Sequence, residues 1–150
     1  MMREIKFRAF KHAGTPEMFN DVQVIDFESG TAHLGYSLSN FTERTDKERL
    51  DNLILMQYTG LKDKNGVEIY EGDIVDFNGE YEVCYGQHGV PSVEEQEYID
   101  HAYGFYFKAQ HDLKDIMPFG LDIPLNRTYV NECKIIGNIH ENPELLGDNQ

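Results

Sequence analysis

The chain has 150 residues, 27 of them acidic and 13 basic, for a formal net charge of −14. That length fits one domain, or one domain with an appended unit, and a core that needs no disulfide or metal staple. The acidity argues against non-specific attachment to DNA or anionic lipid, and neither a signal core nor a bilayer-length apolar run is present, which points to a cytoplasmic protein.

Residues 5–10 (IKFRAF) alternate apolar and basic side chains and read as a first strand with a basic outer face. Arg3, Lys6, Arg8 and Lys11 make the clearest basic cluster of the chain. After a loop around Gly14, Pro16 and Asn20, residues 22–27 and 31–36 read as strands joined through the turn Glu28-Ser29-Gly30. Residues 42–52 are densely charged and poor in apolar side chains, and are expected to form an exposed connection. Residues 1–52 are thus expected to form an N-terminal β unit with its connection, and residues 53–150 a barrel.

Within that second part, residues 54–58 and 67–70 read as strands around the Asn65-Gly66 turn, and Glu71-Gly72 as a corner. Asp73 is expected to hydrogen-bond backbone amides there. A two-residue turn at Asn78-Gly79 would pair Phe77 with Glu80 and Val75 with Glu82, setting Val75 and Phe77 on a mixed face with Cys84. Residues 86–103 depart from the rhythm and read as an insertion, where Ser92 and Glu95 match a capping box for a short helix. Residues 104–109 resume as a strand, 112–126 as a loop and 128–139 as a final strand, with a short C-terminal helix starting at Asn142-Pro143.

Chemistry-bearing patterns are sparse. Cys84 and Cys133 lie in apolar runs and read as small hydrophobes, without the spacing of a zinc or redox motif. The histidines His12, His33, His88, His101, His111 and His140 have no metal-ligand spacing, so no metal, cofactor or catalytic residue is expected. A metal-dependent hydrolase would need His101, His111 and Glu94 or Glu95 to converge across the fold. Tyr beside Glu recurs, at 70–71, 81–82 and 97–98, which points to an aromatic and acidic binding face at Tyr70, Glu71, Tyr81, Glu82 and Tyr98, suited to a basic or Pro-rich peptide.

Three blocks carry a family resemblance: residues 5–10, residues 55–75 (LMQYTGLKDKNGVEIYEGDIV) and residues 133–146 (CKIIGNIHENPELL). Together they resemble the YopX family. The resemblance implies a small protein of bacteriophages and prophages with a central SH3-like barrel, and it brings no catalytic residues with it. The expectation is therefore a mainly β protein: an SH3-like small barrel, a flanking β-hairpin unit and short helices. Its expected role is that of a non-enzymatic interaction module for a host or phage protein, with self-association as a further option. Use of Arg3, Lys6, Arg8 and Lys11 on nucleic acid is the alternative.

Overall fold

A computed structural model describes residues 4–37, 43–92, 94, 97–109 and 122–146. The protein is mainly β, with strands arranged as four-, five- and three-stranded sheets. Two compact units divide the chain, residues 1–58 and 59–150.

In the first unit, β1 (Phe7–Lys11) pairs antiparallel with β2 (Glu17–Phe19) on one side. On its other side lies the first half of β6 (Leu53–Lys62), with Ala9 opposite Leu55. A second sheet runs β3 (Asp21–Asp26), β4 (Thr31–Ser37), β5 (Glu43–Arg49). The turn between β3 and β4 is built as expected, with the Asp26 carboxylate accepting from the amides of Glu28 and Ser29. Those bonds, Ser29 first, hold the Asp26 carboxyl below its usual range. Ala9, Phe19, Ala32, Leu34 and Leu53 close the core of this unit.

Strand β5 corrects the expected exposed connection. A ladder needs only backbone groups, and β4 supplies them, Ala32 opposite Glu48 and Leu34 opposite Asp46. Its charges suit an edge position, where they discourage pairing with another chain.

In the second unit, β7 (Glu68–Tyr70) lies beside β6 and leads into the Glu71-Gly72 corner and β8 (Asp73–Asp76). Asp73 does what its position promised: its carboxylate accepts from the Tyr70 amide at 2.7 Å. The five-stranded sheet has the order β11, β10, β9, β8, β12, formed by β9 (Glu80–Ser92), β10 (Glu97–Ala109), β11 (Ile123–Pro124) and β12 (Lys134–Asn138). Its core gathers Ile69, Val75, Phe77, Tyr81, Val83 and Phe107, with Tyr81 and Phe107 ring centroids 5.9 Å apart.

Three expectations are corrected here. The β8–β9 register is one residue off the expected two-residue turn: Asp76 faces Glu80 and Val75 faces Tyr81, leaving Phe77-Asn78-Gly79 as the loop. Asn78 has φ 53° and Gly79 φ 146°, so the loop takes its left-handed residues where expected. The slip turns Val75 and Phe77 to the same side as Tyr81 and Val83, which buries all four. Residues 97–100, assigned to a helix by the capping box, are strand, because Tyr98 and Asp100 pair with Pro91 and Val90 across the hairpin. The first part of the expected final strand is a helical turn, α1 (Arg127–Val130), whose cap Asn126 accepts from the Tyr129 amide. The C-terminal helix is a single 3-10 turn at Pro143–Leu146. The Asn142 Oδ1 accepts from the Asn138 amide.

Candidate functional site

The β9–β10 hairpin, two strands of 13 residues each, is largely exposed along β10. Its strands pair from Tyr81 opposite Ala109 out to Ser92 opposite Glu97. Halfway along, Gly86 faces Gly104 on one rung, with φ of 154° and 149°. Both values lie where a side chain is strained, so the rung depends on glycine in both strands.

The hairpin folds back at that rung. Tyr98, near the tip, accepts a hydrogen bond at its hydroxyl from the Asp122 amide (3.0 Å). Asp122 in turn accepts at Oδ1 from the amide of Ala109 (2.9 Å), at the hairpin's base. Straight strand would separate Tyr98 from Ala109 by about 36 Å. Two hydrogen bonds and one aspartate span the gap instead. On the inner side of the bend, the rings of His88 and Tyr106 stack across the glycine rung, centroids 4.7 Å apart and 20° from parallel. The Tyr98 ring occupies the space that a side chain at position 89 would need, which explains Gly89. The outer half of the hairpin, beyond the Gly86–Gly104 rung, is hereafter the arm.

Two features result. One is a surface stripe. Tyr85 opposite Phe105 and Gln87 opposite Tyr103 share a face, with the Tyr85 and Phe105 rings edge to face at 5.0 Å. Tyr85 is 59% exposed and Tyr103 77% exposed. The other is a pocket of about 290 Å3, lined by Thr59, Leu61, Ala102, Tyr103, Phe105, Pro124 and Leu125. His88 also lines it, although the residue is only 6% exposed. Its Nδ1 lies 3.0 Å from the Gly86 carbonyl oxygen. A carbonyl only accepts, so Nδ1 carries the hydrogen of that bond, which leaves Nε2 as the ring nitrogen able to accept.

The residues predicted for an aromatic and acidic face are spread out. Tyr70 ends β7 and is buried, and Glu71 is half-buried at the corner. Tyr81 is fully buried in the core, and this corrects its assignment to an exposed face. Glu82, on the opposite side of β9, accepts from the Cys84 thiol. Tyr98 is 42% exposed and engaged with Asp122. The fold does bring Tyr81 and Tyr98 to the same carboxylate: burial pushes Tyr81 up to about 12, and Asp122 and then Tyr98 add to the effect. His88, Tyr85 and Tyr103 were not among the residues predicted for that face. Their association depends on strand register and on the bend, neither of which has a mark in the sequence beyond two glycines far apart.

The basic cluster does not form an open face among the described residues. Arg3 lies outside them. Lys6 is paired with Glu4 (3.3 Å) and stands over the Tyr58 ring (4.9 Å). Arg8 is buried. Lys11 pairs with Glu48 (3.1 Å), whose carboxyl is held below its usual range by Asn52 and then by Lys11. His111 and Glu95 also lie outside the described residues. Among those described, no three His, Cys, Asp or Glu gather to hold a metal ion, and no helix is long and apolar enough to cross a membrane. Burial pushes the thiols of Cys84 and Cys133 up to about 12, helped by Glu82 and Asp63 respectively.

The architecture is similar to a crystal structure of protein EF1440 from Enterococcus faecalis, with a TM-score of 0.57, 23% identity, and coverage of 97% of this chain and 100% of that one. At that identity the likeness concerns the fold. No curated protein matches the chain. The model of the family described as YopX protein matches residues 6–147, nearly the whole length. The order of the three sequence blocks and this match lead to one conclusion: the chain belongs to the YopX family.

Proposed function

We propose that this is a non-enzymatic accessory protein of a phage or prophage, working in the host cytoplasm by holding another protein on the exposed face of the β9–β10 hairpin. The observation that supports it most is the pair Tyr85 and Tyr103, both largely in water on one face beside an apolar pocket. Ile99, 58% exposed, adds apolar surface to the same hairpin. Exposed aromatics in such numbers contribute little to folding, whereas tyrosine is enriched where protein interfaces concentrate their energy. The charge of −14 favours a basic partner over a polyanion. The nucleic-acid alternative draws no support from Lys6, Arg8 and Lys11, which are paired or buried.

Affinity capture from host cells, comparing the natural chain with Tyr85→Ser/Tyr103→Ser, tests the reading. Both positions are exposed, so the variant is expected to fold, with a stability loss of about 1 kcal/mol from the Tyr85–Phe105 ring contact. Loss of the captured partner supports the reading. Capture of the same proteins in the same amounts by both chains overturns it.

A further inference from the structure

We propose that the pocket at His88 seats a single tryptophan side chain of the partner, carried on a basic segment of that partner. This rests on the protein-contact reading above and names what is held.

Size comes first. At about 290 Å3 the cavity is at the lower limit of pockets that enclose drug-sized ligands, and suits one large side chain. Leu61, Phe105, Pro124 and Leu125 provide an apolar lining, so a charged or strongly hydrated group would lose water without compensation.

His88 then selects among apolar groups. The residue is more than nine-tenths buried, and among the described residues its one hydrogen bond is the Nδ1 donation to Gly86. With Nδ1 donating, Nε2 is the ring's acceptor, in the wall of a mostly apolar pocket that Thr59 also lines, and a donor seated there would pair with it. Leucine, proline and phenylalanine side chains offer none. An indole is a flat apolar ring with one N–H and no acceptor, which matches both the lining and that acceptor.

Charge defines the rest of the partner. By sequence, residues 80–109 carry Glu80, Glu82, Glu94, Glu95, Glu97 and Asp100 against a single cation, Lys108, in a chain of net charge −14. Basic residues flanking the tryptophan would be attracted, and phosphate or acidic peptides repelled. A second copy of this chain fits poorly, since it contains no tryptophan and has the same charge.

The lack of tryptophan also makes the test clean, because indole emission then reports on the probe alone. The probe is the capped pentapeptide Lys-Arg-Trp-Lys-Arg, titrated with the full chain. A saturable blue shift is expected. Replacing the tryptophan by 1-methyltryptophan, which has no N–H, should weaken binding about five- to ten-fold. His88→Phe preserves a ring against Tyr106 but removes the acceptor; it should weaken the unmethylated peptide by a similar factor and leave the methylated one unaffected. Ala102→Leu fills the pocket and should abolish the shift. The proposal is overturned if no saturable shift occurs, if methylation makes no difference, or if Glu-Asp-Trp-Glu-Asp binds as well. Failure of the peptide alongside loss of capture in the tyrosine variant removes this proposal and leaves the contact reading standing. Peptide binding with unchanged capture removes the contact reading instead.

Discussion

Asp63 shows how much one side chain can organise. It is buried, and its Oδ1 accepts from the amides of Asn65 and Val67, which shapes the turn between β6 and β7. Its Oδ2 accepts from the Ile135 amide in β12, 72 residues away (3.0 Å). Asp63→Ala is expected to lower stability by about 3 kcal/mol, because buried amides lose a charged acceptor; a urea unfolding curve measures it. The local half of this role was readable from Asp63-Lys64-Asn65-Gly66. The distant half was not, because nothing in the sequence brings Ile135 beside that turn. The thiols and Tyr81 allow a second prediction. In the unfolded chain Cys and Tyr titrate near 9 and 10, whereas Cys84, Cys133 and Tyr81 are pushed to about 12. From about pH 9 to 12 the native state therefore holds more protons than the unfolded one, and stability falls as pH rises. Urea midpoints measured across that range should decline, less steeply in Tyr81→Phe. At about pH 8 both thiols should react with a disulfide reagent about a thousand-fold more slowly than free cysteine, because so little thiolate is present.

Among the elements, the hairpin is the clearest instance of backbone conformation setting shape. A methyl group at Gly104 would have to sit at φ 149°, so Gly104→Ala should cost about 1–3 kcal/mol and loosen the bend. Gly89→Ala acts differently. Its methyl would collide with the Tyr98 ring and push the hydroxyl away from Asp122. Hydrogen exchange should then quicken across the arm while β8 and β12 keep their protection. The sequence revealed strands from alternation and turns from Asn-Gly and Gly-Asp pairs, so β1, β3, β4 and β8 were legible. It misled where local signals compete. Ser92 and Glu95 satisfy a capping box, but cross-strand pairing of Tyr98 and Asp100 outweighs a cap for so short a helix. The charged β5 was invisible because its partner β4, not its own side chains, makes it a strand. At Asn78-Gly79 the turn was found but its length missed by one residue, since burial of Phe77 decided the register.

For the molecule as a whole, a net charge of −14 is a destabilising self-repulsion as well as a guide to partners. Raising ionic strength from about 0.01 to 0.15 M should screen it and lift the melting temperature by about 2–4 °C, read by circular dichroism. The glycine rung has a consequence at this scale too. Because Gly86 and Gly104 stand side by side, the chain leaves the sheet and re-enters it at neighbouring points. Residues 86–104 can then be excised and the ends joined by a tight Asn-Gly link, with Tyr85 and Phe105 still paired. The shortened protein should fold around the same interior and lose the side of the pocket formed by His88, Ala102 and Tyr103, so the arm behaves as an exchangeable cassette in which recognition can be rewritten without renegotiating the scaffold.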